Sequence, residues 1–206
     1  MKIICIGRNY VDHAKELDNP VPKQPLVFMK PPTALLVNNK PFYYPEFTQN
    51  IHYEVEVVLK IGKNGRHVQP EFADQYYTHI GLGIDFTARD IQAQCKAKGH
   101  PWEIAKGFDH SAVISPFVEK NELDTTAILF ELHKNEEVVQ QGNTKDLIFS
   151  FNDIICYVSK YFKLQMGDYI YTGTPAGVGP IKIGDTLEGY LHTKSGTKQM
   201  FRCDVK

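Results

Sequence analysis

Seven of the twelve prolines fall between residues 18 and 50, at positions 20, 22, 25, 31, 32, 41 and 45. Proline fixes φ, lacks an N–H and turns the preceding residue away from helix, so this stretch of the chain must run as extended pieces and turns. The stretch that follows, IHYEVEVVLKIG (51–62), is apolar at 55, 57, 59 and 61 and reads Glu, Glu, Val, Lys at 54, 56, 58 and 60. That is the period of a strand with one face made for burial, and Glu54 and Glu56 share the other. Short strands are also expected at 3–6, broken by Gly7, and at 79–86, where Gly81 and Gly83 let another backbone come close. AILFELHKN and EVVQQGN read as a hairpin, and 198–205 as a C-terminal strand, with Gly-Asp turns at 167–168 and 184–185.

Helices are few. NYVDHAKEL supports a turn or two, with Asn9 and Asp12 as a capping box. Residues 87–98 carry Ile91 and Cys95 on one stripe before Gly99 and Pro101 end the helix. Residues 146–162 are apolar at 147, 148, 151, 154, 155, 158 and 162, a helical pattern. The inventory predicts a strand-rich α+β fold rather than alternating βαβ units. At 206 residues and 42% apolar content, one domain with a sizeable core is expected.

The 23 basic and 24 acidic residues are interspersed, giving a formal net charge of −1, so neither nucleic acid nor membrane is the expected partner. A small ligand is. Cys5, Cys95, Cys156 and Cys203 have no C-x-x-C spacing and read as reduced, intracellular thiols. The apolar run opening MKIICIGRNY is too short for a signal peptide and no segment reaches membrane-spanning length, which makes the cytoplasm the expected location.

Two carboxylates held roughly 6 Å apart repel by about 3 kcal/mol at an effective dielectric of ~20. A divalent cation between Glu54 and Glu56 would relieve that repulsion; a solvated strand face would dilute it. The best third ligand is Asp85 in GLGIDFTARD, which reads equally as a charge at the start of the helix that follows. Three carboxylates without histidine or thiolate select Mg²⁺, Mn²⁺ or Ca²⁺ over zinc. His52, two residues before Glu54, suggests a two-histidine, one-carboxylate iron site as a rival, although no second histidine has a motif. His13 and Glu16 have i,i+3 spacing, which suits a carboxylate-oriented general base or an exposed ion pair. Lys106, after the only tryptophan, reads as a fixed positive charge for a developing enolate or carboxylate, as a snorkelling lysine, or as a partner for Asp109. Thr174 and the glycine-rich backbone of YTGTPAGVGP could donate to a carboxylate, form a tight turn, or both.

In this order, GRNYVDHAKEL (7–17), FMKPPTAL (28–35), IHYEVEVVLKIGK (51–63), GLGIDFTARDIQ (81–92), PWEIAKGFD (101–109), IFSFNDIICYVS (148–159) and GDYIYTGTPAGVGP (167–180) resemble the fumarylacetoacetate hydrolase superfamily. The likeness is to its short acylpyruvase and oxaloacetate decarboxylase branch, which lacks the additional N-terminal domain of fumarylacetoacetases. It implies a mixed β-roll, a homodimer, and Mg²⁺ or Mn²⁺ on Glu54, Glu56 and Asp85. It also implies that His13 and Glu16 sit on a mobile lid and activate water, with Lys106 and Gln92 completing the catalytic set. Arg8, Tyr10 and Thr174 match positions that contact the substrate carboxylate or close over it. Relatives tend to have Asn-Gly where this chain has Asn135-Glu136, which loosens the hairpin turn. The implied reaction is metal-dependent hydrolysis of 3-acylpyruvates, decarboxylation of oxaloacetate to pyruvate through a metal-stabilised enolate, or both. The alternative is a 2-oxo acid tautomerase or isomerase, such as an oxaloacetate tautomerase or a 2-hydroxyhepta-2,4-diene-1,7-dioate isomerase; a domain that binds its ligand without turnover is a further one.

Overall fold

Alternation of the kind seen at 51–62 assembles into a mixed sheet that curls into a half-barrel, in a computed structural model that describes residues 1–16 and 20–206. Its strands are β2 (Leu26–Lys30), β1 (Ile3–Gly7), β12 (Tyr169–Tyr171), β5 (Val55–Ile61), β6 (Tyr77–Asp85), β8 (Ala112–Ile114) and β3 (Leu35–Leu36), hydrogen-bonded in that order. A short β9 (Val118–Glu119) also pairs with β6. The β1/β12 and β3/β8 pairs are parallel and the others antiparallel. A second, antiparallel sheet runs β11 (Glu137–Asn143), β10 (Leu129–Lys134), β14 (Thr186–Thr193), β15 (Gly196–Asp204). A third joins β13 (Gly179–Pro180), β4 (Ile51–Tyr53) and β7 (Thr87–Ala88).

Strand β5 is central, and both of its faces are covered. Val55, Val57, Leu59 and Ile61 pack with Ile80, Leu82 and Ile84 of β6 and with Ile154, Ile155 and Val158 of helix α5 (Phe151–Tyr161). On the opposite face Val58 joins a smaller cluster with Ile3, Cys5, Ala112, Ile114 and Tyr171. The half-solvated strand is therefore corrected: Glu54 and Glu56 are 5% and 2% exposed, because the curl of the sheet folds their face inward.

The helices are shorter than their sequence patterns, and each boundary has a local cause. Helix α5 starts at Phe151 and not at 146, because Ser150 caps it in a box with Asp153 while Leu147 bridges to Tyr10. Helix α3 (Arg89–Lys98) starts two residues late because Thr87 and Ala88 pair with β4; it ends at Gly99 in the left-handed conformation. Helix α1 covers Val11–Glu16, and the expected Asn9–Asp12 capping box does not form. The buried Asn9 amide instead donates to Phe149 O and Thr172 O and accepts from Phe149 N–H, tying distant loops to the start of the helix. Leu17, at the end of the expected helix, lies outside the described residues. Two single-turn helices, α2 (Pro70–Ala73) and α4 (Glu103–Lys106), complete the set. The β10–β11 hairpin closes with Asn135 and Glu136 both at positive φ, 53° and 71°, so Asn-Glu adopts the turn that Asn-Gly would. Among the described residues no helix is long and apolar enough to cross a membrane.

The close contact foreseen at the β6 glycines falls at Gly83. A Cβ there would lie 2.5 Å from Val113 O and 2.7 Å from the Tyr171 ring. Gly83→Ala is expected to lower stability by about 2–3 kcal/mol in urea unfolding. An unchanged midpoint would contradict this packing.

Candidate active site and metal centre

Antiparallel register gathers the carboxylates. Val55 faces Ile84 and Glu56 faces Gly83, which sets Glu54 opposite Asp85, whose N–H donates to Glu54 O at 2.8 Å. Residues facing each other across an antiparallel pair project to the same side, and Glu56 follows Glu54 by two. One oxygen from each of Glu54, Glu56 and Asp85 thus lies within 4.8 Å of the others, with all three residues buried.

Three cations face this group. Lys106 Nζ lies 2.8 Å from Glu54 Oε2 and 2.7 Å from Asp85 Oδ2, and donates to Thr87 Oγ1 at 2.6 Å. Arg89 Nη2 lies 2.6 Å from Glu54 Oε1. Lys30 Nζ lies 2.7 Å from Asp85 Oδ1 and is held by the carbonyls of Phe86, Lys106 and Ser111. Lys106 is therefore neither a surface lysine nor a partner of Asp109. Burial alone would raise the carboxyl of Glu54, but Lys106 and Arg89 outweigh it and hold the group below the usual range. Lys106 is raised, since Asp85 and Glu54 overcome the opposite pull of burial.

Glu56 differs. Among the described residues no cation reaches it; its Oε2 accepts from Gly173 N–H at 2.7 Å. Burial and the charges of Asp85 and Glu54 push its carboxyl well above the usual range. A buried carboxylate between two others, without a counter-charge of its own, fits a divalent cation, and an all-oxygen donor set fits a hard one.

The cavity over these carboxylates measures about 30 Å³, and His13, Gln92, Lys106, Arg8 and Thr174 contribute to its lining. His13 Nδ1 lies 3.2 Å from Glu16 Oε2, and Glu16 Oε1 accepts from Gly177 N–H at 3.0 Å. A carboxylate only accepts, so Nδ1 carries the proton and Nε2 is the basic nitrogen. Gln92 Oε1 accepts from Arg89 Nη1 at 2.8 Å, and Thr174 Oγ1 accepts from Gln140 Nε2 at 2.9 Å. Tyr10 is placed apart: it lines a larger cleft of about 530 Å³ beside α1 that contains none of the three carboxylates. His52 is apart too, with Nε2 at 2.9 Å from Asn50 Oδ1, and the carboxylate group includes no histidine, which leaves the iron site without its ligands among the described residues.

Sequence reasoning missed Arg89, Lys30 and Gln140. Arg89 had a usable signal: it stands three residues before Gln92, on the same face of α3. Lys30 and Gln140 had none, because their partners lie 55 or more and 34 or more residues away.

The model of the fumarylacetoacetate (FAA) hydrolase C-terminal family matches residues 2–200. The chain belongs to this family. It is 44% identical over 187 residues to a mouse (Mus musculus) protein named oxaloacetate tautomerase FAHD1, mitochondrial, covering 90% of this chain and 85% of that one. The fumarylpyruvate hydrolase of Pseudomonas aeruginosa, solved with Mn²⁺ and pyruvate, superposes with a TM-score of 0.91 at 33% identity, covering 100% of this chain and 90% of that one. The 2-hydroxyhepta-2,4-diene-1,7-dioate isomerase of Mycobacterium marinum superposes at 0.84 with 31% identity, covering 99% and 73%. The family includes hydrolases, isomerases and tautomerases, and this chain is an enzyme of that superfamily.

Burial and the nearby Arg89 lower His52 from its ordinary 6.5 to about 4. As pH falls below 6.5 the unfolded chain takes up this proton first, so stability is lost progressively down to about pH 4 and is unaffected above 6.5. His52→Gln is expected to lose less stability than wild type between pH 7 and pH 5 in urea denaturation. Parallel losses in the two proteins would refute this.

Proposed function

We propose that this chain, with Mg²⁺ or Mn²⁺ held by Glu54, Glu56 and Asp85, hydrolyses the C–C bond of 3-acylpyruvates or decarboxylates oxaloacetate, releasing pyruvate. The observation that supports this most is Glu56, buried beside two carboxylates with no cation of its own. When bound, the ion supplies Lewis-acid stabilisation of negative charge growing on the oxygens of a 2-oxo acid. Lys30, Arg89 and Lys106 already offset the three carboxylates formally, so a divalent ion would leave the group positive and favour an anionic ligand.

The chain's own groups divide the remaining work. Lys106 and Arg89 present fixed positive charge toward the developing enolate. Gln92, with Oε1 engaged by Arg89, presents its amide N–H groups to the ligand. For an acylpyruvate, His13 takes a proton from water through Nε2 while Glu16 holds the ring. The water oxygen bonds to the distal acyl carbon, the C–C bond breaks, and its electron pair passes to the pyruvate enolate, which is then protonated at C3. For oxaloacetate, loss of CO₂ leaves the same enolate and no water is needed. A cavity of about 30 Å³ holds only one or two waters, so α1, which carries His13, acts as a lid that opens to admit substrate.

A second reading is tautomerisation of oxaloacetate, in which His13 removes a proton from C3 and the enol oxygen receives one. The name of the 44% identical mouse relative supports it.

A panel of acylpyruvates and oxaloacetate, assayed for pyruvate release and for keto–enol exchange with and without chelator, tests both. Chelation is expected to abolish turnover. His13→Ala is expected to slow acylpyruvate hydrolysis by about 100-fold or more and oxaloacetate decarboxylation far less. Equal losses would contradict a water-activating base, and exchange without pyruvate would select the tautomerase. Independently, Glu56→Gln is expected to stabilise the metal-free protein by about 1 kcal/mol and to eliminate the rise in Tm that Mn²⁺ gives wild type. A variant that still gains stability from Mn²⁺ would remove Glu56 from the metal site.

A further inference from the structure

We propose that Gln140, which lies outside the cavity, is a positioning residue that sets the Thr174 hydroxyl as a hydrogen-bond donor to an anionic oxygen of the bound ligand. This rests on the 2-oxo acid reading above and adds a residue to that site.

Gln140 is 2% exposed on β11, at a depth where a strand ordinarily buries an apolar side chain. An amide is costly to bury unless each of its polar atoms is bonded. Here each is. Oε1 accepts from Val55 N–H at 2.9 Å, and Nε2 donates to Thr174 Oγ1 and to Pro175 O, both at 2.9 Å. These partners decide which end of the amide is which, because Val55 N–H can only donate and Pro175 O can only accept. Both Nε2 hydrogens are thereby used, and the amide nitrogen has no acceptor capacity to offer Thr174 in return.

The Thr174 oxygen therefore accepts from Gln140, and its own hydrogen must go elsewhere. Among the described residues no acceptor takes it, while Thr174 is 2% exposed and lines the cavity. A buried hydroxyl hydrogen without a protein partner is a donor available to a ligand oxygen, and most strongly to an anionic one. The same amide fixes where that donor stands. Val55 lies between Glu54 and Glu56, and Gly173 N–H donates to Glu56 Oε2 at 2.7 Å. Val55, Gln140, Thr174, Gly173 and Glu56 thus close one ring of hydrogen bonds and chain, which holds the hydroxyl in register with the carboxylates without Gln140 touching the ligand.

A double-mutant cycle of Gln140→Met and Thr174→Val, followed by isothermal titration of pyruvate into the Mn²⁺-loaded protein, separates positioning from packing. Thr174→Val is expected to weaken pyruvate binding about tenfold, and Thr174→Ser to keep it. Gln140→Met is expected to weaken it about fivefold when Thr174 is present and to add no loss in the Thr174→Val background. Because Gln140→Met also leaves Val55 N–H unbonded, Tm and Mn²⁺ affinity are measured alongside, and their losses should be the same in both backgrounds. Gln140→Glu, which keeps the shape and the acceptor for Val55 N–H, is the second variant: its ionised carboxyl takes the Thr174 hydrogen, so its loss of pyruvate affinity should likewise shrink in the Thr174→Val background. Equal losses with and without the Thr174 hydroxyl, no loss in either Gln140 variant, or wild-type binding by Thr174→Val would overturn the positioning role alone. A wild type that binds Mn²⁺ but not pyruvate would overturn the 2-oxo acid reading and this inference with it.

Discussion

Three carboxylates are held together where water scarcely reaches, and the surrounding structure is organised against their repulsion. At 4.8 Å each pair of charges costs about 3 kcal/mol at an effective dielectric of ~20. Their gathering follows from backbone hydrogen bonding alone: once β5 and β6 pair in the observed register, Glu54, Glu56 and Asp85 have no other side to face. The compensating charges arrive from outside that pair, Lys30 from β2, Arg89 from α3 and Lys106 from α4. Breaking such a buried network by removing one member leaves an uncompensated charge, so the three segments are tied to the sheet electrostatically as well as by packing. Lys30 shows this most clearly, since the carbonyls it holds belong to the end of β6, the end of α4 and the approach to β8.

Against that floor packs one short helix. Helix α1 has six residues, too few to be stable alone. Its position depends on Asn9, pinned between the 149 and 172 segments, and on Glu16, which accepts from Gly177 N–H. The segment that receives Glu16 also supplies Gly173 N–H to Glu56. Gly173 takes φ 109°, and a Cβ there would stand 2.6 Å from Asn9 Cβ, so glycine is required where this segment, α1 and the carboxylates meet. One loop therefore touches both the group that would grip a metal and the helix bearing His13.

What the sequence made legible was local. The period of two at 51–62, the two Gly-Asp turns and the stop at Gly99 depend on neighbours within a few residues, and the structure shows each of them. What it concealed was set over long distances. Asn9 has the spacing of a helix cap, yet partners 140 and 163 residues away take its side chain. Burial of the Glu54 face depends on the curl of the whole sheet, which an alternating strand does not encode. Of the ten residues singled out for the site, eight line one cavity, Glu16 is bonded to His13, and Tyr10 lies beside another cleft. The cations were harder to find than the acids, because a lysine whose partners sit on other strands looks like any surface lysine.

On the proposed reading, hydrolysis, decarboxylation and tautomerisation share one requirement, that charge spread over the oxygens of a three-carbon unit be tolerated. The carboxylates and their three cations would meet that requirement in the same way each time. What distinguishes the reactions is the atom opposite His13 Nε2: a water oxygen in hydrolysis, the C3 proton in tautomerisation, neither in decarboxylation. The cavity over the carboxylates has room for only one or two waters, so a substrate that fills the approach to His13 would exclude water. Reaction type would then be selected by the length and charge of the group beyond C3, and not by any change in the floor beneath it. A family with one conserved architecture and several chemistries is the expected result of that division.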